Sequence, residues 1–262
     1  MQFGAMNFPV YPVLDEIEAI AAAGMDYVEL AMDPPQAHFS RIKAGRRDIR
    51  KALERHKLGL VCHMPTFVQT ADLTEGIRRA SVDETIGALE TAADLAAEKV
   101  VLHPSFLSGM AVHVVDQAHA LAMDSLEIFV SRARQLGLVL GIENMPPGTS
   151  LFDEPDAFHA VFSSFADLQL VLDIGHAFIG DRSGRRILAF IDAFGDRLIH
   201  VHASDNRGRH DEHQCIGYGQ INFKPVMQRL SIIGYDKTIT LEVFDSDRGT
   251  LTRSRQRLAK WL

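Results

Sequence analysis

Side chains of the kinds that bind divalent metals recur in this chain at the ends of short apolar segments. Nine residues follow this pattern: His63, His103, Glu143, Asp173, His176, His202, Asp211, His213 and Glu242. Imidazole nitrogens and carboxylate oxygens bind Zn²⁺, and carboxylates also suit Mn²⁺ and Mg²⁺. The set therefore predicts a site for divalent metal (Zn, Mn, Co or Mg).

The surroundings of the three acids strengthen this prediction. Glu143, Asp173 and Glu242 each end an apolar segment, where a lone carboxylate is costly because a low dielectric disfavours unpaired charge. No Lys or Arg ends any of the segments from the third to the eighth. We therefore expect bound metal ions to be the positive partners of these acids.

The apolar segments alternate along the chain with longer segments of helical period. The predicted strands are residues 3–6, 27–31, 58–63, 99–103, 138–143, 168–173, 198–202 and 238–242. The predicted helices are residues 13–23, 46–56, 75–97, 114–135, 153–162, 185–194, 224–232 and 249–262. Such alternation implies parallel pairing, and eight units of this kind close a barrel. We predict an α/β protein with one (β/α)8 TIM barrel domain over residues 1–262. An open doubly wound sheet is disfavoured, because no GxGxxG or GxxxxGK[ST] loop occurs.

A barrel of this kind would gather the nine residues at one rim. Active sites of (β/α)8 barrels lie at the C-terminal ends of the strands, and residues two apart in a strand share a face. The residues two positions before the three acids are Gly141, Val171 and Thr240, which are small or β-branched and suit a barrel interior. His200 shares a face with His202 one layer lower, so we expect it to be hydrogen-bonded rather than a ligand.

Composition restricts the partners of the protein. The chain is 47% hydrophobic and 23% charged, with a formal net charge of −7. An acidic surface has no general attraction for nucleic acid or anionic lipid. The first residues lack the pattern of a signal peptide, no apolar run approaches the ~18 residues of a membrane span, and Cys62 and Cys215 form no CxxC motif. We expect a cytoplasmic protein with no membrane partner.

Four segments carry a resemblance to a known superfamily. They are residues 138–144 (LVLGIEN), 171–176 (VLDIGH), 199–206 (IHVHASDN) and 211–217 (DEHQCIG). Together they resemble the xylose-isomerase-like barrel superfamily, which contains sugar and sugar-phosphate isomerases and epimerases as well as endonuclease IV. The resemblance extends from the third strand to the eighth.

Two groups in that superfamily differ in the ligand sets that the resemblance implies. In ketose epimerases a Glu, an Asp, a His and a second Glu hold one divalent ion, and these match Glu143, Asp173, His202 and Glu242. Endonuclease IV holds three zinc ions with the same four and five more, which match His63, His103, His176, Asp211 and His213. Every position of both sets is filled in this chain.

We favour an isomerase or epimerase that acts on a small sugar or sugar phosphate. A metal ion would polarise adjacent oxygens of the substrate, while Glu143 and Glu242 remove and return a proton through an ene-diolate. The predicted substrate-binding residues are His176, Arg207 (or Arg209) and Glu29. For Glu29, a structural ion pair is the favoured interpretation over a substrate contact.

The alternative function is that of a multinuclear zinc phosphodiesterase similar to endonuclease IV, in which Glu143 would bridge metals. The loop after His63 has no basic residue, and the basic residues after the second strand, namely Arg41, Lys43, Arg46 and Arg47, fit a solvated helix start. Nucleic acid is therefore disfavoured as a partner, and a small sugar is preferred. The sequence also allows a homo-oligomer.

Overall fold

Eight parallel strands form a closed barrel in the computed structural model, which describes residues 1–262. Each strand pairs with the next along the chain, and the first pairs with the last. The strands are β1 Gln2–Met6, β2 Tyr27–Ala31, β3 Gly59–His63, β4 Lys99–Leu102, β5 Leu140–Glu143, β6 Gln169–Asp173, β7 Leu198–Ala203 and β8 Thr238–Leu241. The predicted (β/α)8 barrel is confirmed, with strand ends within two residues of those expected.

Helices surround the barrel and pack on its outer face. They are α1 Val13–Ala22, α2 Phe39–His56, α3 Glu75–Asp94, α4 Val115–Leu136, α5 Pro155–Ser164, α6 Ile174–Phe178, α7 Arg185–Phe194, α8 Phe223–Ile232 and α9 Gly249–Ala259. Short 3-10 segments cover Gly109–His113 and Gly195–Arg197. The prediction missed the short helix α6, which matters for the metal centre described below.

Helix α2 begins seven residues before the predicted start at Arg46. The ring of His38 accepts a hydrogen bond from the Ser40 backbone N–H and caps the helix there. Gly45, inside the helix, lowers the helical propensity of this segment. The sequence pattern therefore predicted a helix start later than the observed one. The basic residues of this segment lie on the helix, where Lys43 pairs with Asp94.

The apolar core has two parts. Most of it lies between the strands and the helices, while a small cluster of Tyr27, Val61, Val101 and Val171 fills the barrel interior. Gly141 is needed in that interior, because a Cβ there would lie 2.6 Å from a methyl carbon of Val171.

The lower end of the barrel is closed by polar contacts. The Lys99 ammonium donates to the Ile199 carbonyl at 3.2 Å and to the Thr238 hydroxyl at 3.0 Å. The Tyr27 hydroxyl lies 2.8 Å from the hydroxyl oxygen of Thr240. The barrel is thus filled at its N-terminal end, and polar side chains with unused hydrogen-bonding capacity are concentrated at the C-terminal rim.

None of the helices combines the length and the hydropathy needed to cross a membrane. The two cysteines, Cys62 and Cys215, are buried and unpaired.

Candidate metal centre

Three acids and one histidine meet at the centre of the C-terminal rim. Glu143 and Asp173 end β5 and β6, His202 lies near the end of β7, and Glu242 directly follows β8. Glu143, Asp173 and His202 have no exposed surface, and Glu242 is 4% exposed. Nδ1 of His202 lies 3.3 Å from Glu143, 3.3 Å from Glu242 and 3.9 Å from Asp173. Ligand atoms of Glu143, Asp173 and His202 lie within 4.8 Å of one another, and Glu242 adjoins this group through His202.

Two further histidines approach Glu143 from β3 and the end of β4. Nε2 of His63 lies 3.5 Å from Oε2 of Glu143, and Nε2 of His103 lies 3.1 Å from the same oxygen. Nδ1 of His63 donates to the Met64 carbonyl at 2.8 Å. Because that nitrogen carries the proton in the neutral ring, Nε2 presents its lone pair towards Glu143.

The third group lies on the other side of the rim. Oδ2 of Asp211 is 3.1 Å from Nε2 of His176 and 2.9 Å from Nε2 of His213. His213 has a φ of +45°, in the left-handed region that L-residues seldom adopt. This backbone conformation brings its ring within 3.6 Å of Glu242 and so joins the third group to the first.

Asn144 fixes two of these ligands. Its side chain accepts from the Asp173 backbone N–H at 2.8 Å and donates to the Asp173 carbonyl at 3.0 Å. Its own carbonyl lies 2.9 Å from Nδ1 of His176. The Asp173 carboxylate in turn accepts from the His176 backbone N–H and caps helix α6. Asn144 therefore fixes the ends of β5 and β6 relative to each other and positions Asp173 and His176 in the site.

Asp205 organises the loop that carries Asp211 and His213. Its buried carboxylate accepts from the N–H groups of Gly217 at 2.7 Å and Ile221 at 3.1 Å. A Cβ on Gly219 would lie 2.3 Å from that carboxylate, so only glycine fits this close approach. The sequence prediction assigned no role to Asn144 or Asp205, although both lie within the motifs that carry the family resemblance.

Many polar atoms of this centre have no hydrogen-bond partner. Buried atoms without one occur on seven of the nine predicted ligands: His63, His103, Glu143, Asp173, His202, Asp211 and His213. Native proteins rarely leave buried polar atoms unsatisfied, because each costs about 1–3 kcal/mol. Imidazole and carboxylate donors that converge in this way fit divalent metal ions, and the nine residues form a donor set of the kind that zinc or manganese accepts.

Charges in the centre are balanced internally by the histidines. Burial disfavours the imidazolium of His202, but the carboxylates of Glu29 and Glu143 outweigh burial and hold its pKa well above its usual value. Burial likewise opposes ionisation of Glu143, yet His202 and His103 hold the pKa of that carboxyl well below its usual range. Burial, reinforced by Glu242 and Glu143, raises the pKa of Asp173 to about 7. His202 and Asp173 therefore hold protons that they would have to release in order to bind a metal ion.

Glu29 lies one layer beneath the centre and does not line the cavity that opens at the rim. It has no exposed surface, and its oxygens lie 3.0 Å from Nε2 of His202 and 2.8 Å from Nε2 of His200. Burial lowers the pKa of His200 to about 4, and its other nitrogen lies 2.6 Å from the Thr238 hydroxyl. The Glu29 carboxylate is enclosed by the two histidines, which agrees with the structural ion pair expected for this residue. The expected interior role of His200 is confirmed.

Arg207 lines a neighbouring cavity that shares His213 and Phe244 with the cavity above the candidate metal centre. Its side chain is 61% exposed and its guanidinium lies 3.6 Å from Glu212. A cavity of about 420 Å³ opens above the metal centre, and neither Arg207 nor Arg209 lines it. The Glu212 carboxylate accepts a hydrogen bond from the Arg207 backbone N–H at 2.7 Å. This local contact keeps Arg207 and the adjoining part of the loop outside the cavity. His176, the third predicted substrate contact, does line the cavity.

Comparison with known proteins agrees with the fold. Residues 17–262 match the family model described as xylose isomerase-like TIM barrel. The chain belongs to this family. Within the xylose isomerase-like barrels, it is 29% identical to the uncharacterized protein MJ1311 of Methanocaldococcus jannaschii over 92% of this chain and 83% of the relative.

Two further relatives are named as epimerases or as similar to one. Fructoselysine 3-epimerase of Escherichia coli O157:H7 is 22% identical over 88% of this chain and 86% of its own length. A crystal structure of a D-tagatose 3-epimerase-like protein superimposes with a TM-score of 0.88 at 27% identity, and the match covers 100% of this chain and 97% of that one. The two matches cover 86% and 97% of these relatives.

Proposed function

We propose that this protein is a divalent-metal-dependent sugar isomerase or epimerase that moves a proton next to a carbonyl group through an ene-diolate. The observation that carries the proposal is the pair of buried carboxylates Glu143 and Glu242, each 3.3 Å from Nδ1 of His202. They come from strands three places apart around the barrel and therefore approach the centre from different directions. The sugar epimerases among the relatives support the same class of reaction.

The residues that would hold the ions form three sets. Glu143, Asp173, His202 and Glu242 form the first; His63 and His103 share Glu143 in the second; His176, Asp211 and His213 form the third. When bound, a divalent ion supplies Lewis-acid polarisation of the substrate oxygens, which acidifies the neighbouring carbon–hydrogen bond.

The chain itself supplies the proton transfer. Glu242 lines the cavity, so its carboxylate is the group that meets the carbon bearing the acidic hydrogen. The carbon–hydrogen bond breaks, the carboxylate takes the proton, and the electron pair passes into the ene-diolate. Return of a proton to the opposite face of that carbon gives the epimer, and return to the neighbouring carbon gives the isomer. Glu143 is the second carboxylate proposed for this exchange.

A second candidate function, phosphodiester hydrolysis, is favoured by the completeness of the nine-ligand set. Glu143 lies within 3.5 Å of both His63 and His103 and 3.3 Å from His202, which is a position suited to a bridging carboxylate. The cavity, however, is lined by no Lys or Arg that would bind the rest of a polyanionic backbone. We therefore rank this function second.

Deuterium exchange in heavy water separates the two functions. Protein reconstituted with Mn²⁺, Co²⁺ or Zn²⁺ is incubated with a panel of ketoses, and NMR follows the loss of carbon-bound hydrogen next to the carbonyl. We expect exchange that Glu242→Gln abolishes, whereas Glu127→Gln on the exposed face of α4 serves as the matched control. Metal-dependent hydrolysis of bis(4-nitrophenyl) phosphate, with no exchange on any ketose, would favour the phosphodiesterase instead.

A further inference from the structure

A path of hydrogen bonds extends through the barrel interior from its N-terminal end to the metal centre. Lys99 begins β4, and its ammonium crosses the interior to Thr238, which begins β8 on the opposite side of the barrel, at 3.0 Å. The Thr238 hydroxyl lies 2.6 Å from Nδ1 of His200. Nε2 of that ring lies 2.8 Å from one oxygen of Glu29, whose other oxygen lies 3.0 Å from Nε2 of His202. Side chains of four strands therefore connect a lysine at the closed end with a candidate metal ligand at the rim.

The members of this path above the lysine are enclosed by the protein. Glu29, His200 and His202 have no exposed surface, and Thr238 is buried as well, whereas Lys99 is only half-buried. Buried polar atoms need hydrogen-bond partners within the protein. The orientation of each buried side chain in the path therefore depends on its neighbour.

The ammonium of Lys99 determines the direction of these hydrogen bonds. An ammonium group can only donate, so the Thr238 oxygen accepts from it. The Glu29 carboxylate can only accept, so the N–H of the neutral His200 ring lies on Nε2, and Nδ1 accepts from the Thr238 hydroxyl. The Thr240 hydroxyl, 3.1 Å from Nε2 of His200, can accept from the same N–H and does not change this direction.

The direction of the path has a consequence at the rim. One oxygen of Glu29 is held by His200, which leaves the other to accept from Nε2 of His202. Nδ1 of His202 then faces Glu143 and Glu242, each 3.3 Å away. If the lysine donor were removed, the Thr238 hydroxyl could turn and accept instead of donating. His200 would then lose the contact that fixes its tautomer, and Glu29 would lose a fixed partner.

We propose that Lys99 is a positioning residue for the metal ligand His202 and acts on it from the opposite end of the barrel, through Thr238, His200 and Glu29. A second hydrogen bond, to the Ile199 carbonyl at 3.2 Å, holds the ammonium in place for this role. The inference rests on the metal site of the proposed function and is independent of the reaction. A lysine that only closed the end of the barrel would affect stability and leave the imidazoles unchanged.

The first test needs neither metal nor substrate. Long-range 15N–1H correlation NMR of histidine-labelled, metal-free protein reports which ring nitrogen carries the proton. We expect His200 to carry it on Nε2, Lys99→Met to mix the two tautomers, and Lys99→Arg, which still donates, to restore the wild-type form. Lys237→Met is the matched control, because this ammonium donates to the Leu198 carbonyl at the same end of the barrel, at 2.7 Å. Unchanged His200 resonances in folded Lys99→Met would overturn the proposal.

The second test measures zinc affinity by competition with a chromophoric chelator. We expect Lys99→Met to weaken binding about 3–10-fold, less than the ~10–100-fold typical of a residue that contacts a metal ligand directly. Lys237→Met should bind zinc as the wild type does. Thr238→Val should weaken binding in the same way, while Thr238→Ser, which keeps the hydroxyl, should not. This second pair carries the test if Lys99→Met fails to fold.

The outcomes separate this proposal from the proposed function. Wild-type protein that binds no zinc would reject the proposed function and, with it, the positioning of a metal ligand. Tight zinc binding that is equal in the wild type, Lys99→Met and Thr238→Val would reject the role of Lys99 alone and leave the proposed function standing.

Discussion

Oε1 of Glu29 lies 3.0 Å from Nε2 of His202, in the layer directly beneath the metal centre. His202 and His200 hold the pKa of Glu29 well below its usual value despite burial, so this carboxylate is ionised and can only accept. Nε2 of His202 therefore donates, and Nδ1 is the nitrogen that faces Glu143, Glu242 and the ions they would hold. Such carboxylate–histidine pairs orient metal ligands and raise their basicity.

Glu29→Gln tests this positioning role. The amide keeps the shape of the side chain but not its charge, so His202 loses its fixed orientation. We expect metal affinity to fall about 10–100-fold, as measured by competition with a chromophoric chelator. Glu127→Gln is the control, and circular dichroism of both metal-free variants checks the fold. Wild-type affinity in Glu29→Gln would show that this contact does not orient the ligand.

Glu143→Gln and Asp173→Asn test the ligands themselves. Each removes one negative charge from a fully buried position among the candidate ligands. We expect both variants to lose tightly bound metal and nearly all activity while they retain a cooperative thermal transition. Metal content is measured by elemental analysis of protein purified without chelators. Retention of metal together with full activity would reject the assignment of the site.

The number of ions follows from the three sets of ligands. If all three are filled, anomalous scattering from zinc-loaded crystals shows three peaks, one near His63 and His103 and one near Asp211. His103→Ala should remove the first peak and leave the peak at Asp173 and His202. A single peak in metal-replete crystals would limit the site to the epimerase-type set.

Metal binding should release protons. Without metal, hydrogen bonding and the charge of Asp211 overcome burial and raise the pKa of His213 to about 9, and His176 and His202 also have raised pKa values. These imidazoles carry protons at pH 7 and must lose them to ligate, so affinity rises with pH up to about 9. Calorimetry in two buffers of different ionisation enthalpy should give different heats. Equal heats would show that the ligands are already deprotonated.

Binding to nucleic acid should be weak. The chain has a formal net charge of −7, and no Lys or Arg lines the cavity, so few counterions would be released from a duplex. We expect no nanomolar binding to an abasic duplex at physiological salt, as measured by fluorescence anisotropy. Efficient incision of that duplex, abolished by His103→Ala, would reverse the order of the two candidate functions.

The sequence was sufficient to predict the barrel and to indicate that the nine candidate residues would lie together at one rim. The C-terminal ends of parallel strands meet at one rim, so a strand-end position already places a side chain there. The depth of a side chain along the barrel axis was not predictable in the same way. Glu29 pairs with Val61 and Ala31 with His63, so Glu29 lies one layer below the rim. This register is set by strand pairing, which residue types alone do not reveal.

Loop residues were the least predictable part of the site. Arg207 lies outside the cavity because its backbone N–H donates to the Glu212 carboxylate. The position of the His213 ring depends on the positive φ of that residue. Both are products of the loop conformation that Asp205 and Gly219 impose. The apolar residues of the cavity above the metal centre were also missed, because Phe8, Phe67 and Phe244 come from loops after three different strands and meet only in the folded chain.

The filled lower end of the barrel has a kinetic consequence. Lys99, Tyr27 and the valines above them fill the interior of the barrel, so the proposed ions and substrate would both enter through the mouth at the C-terminal rim, past Phe67. In the proposed enzyme, metal would then load before substrate and would leave only after product has departed. The holoenzyme is expected to follow a compulsory order of addition, in which an occupied pocket slows the stripping of metal by an external chelator.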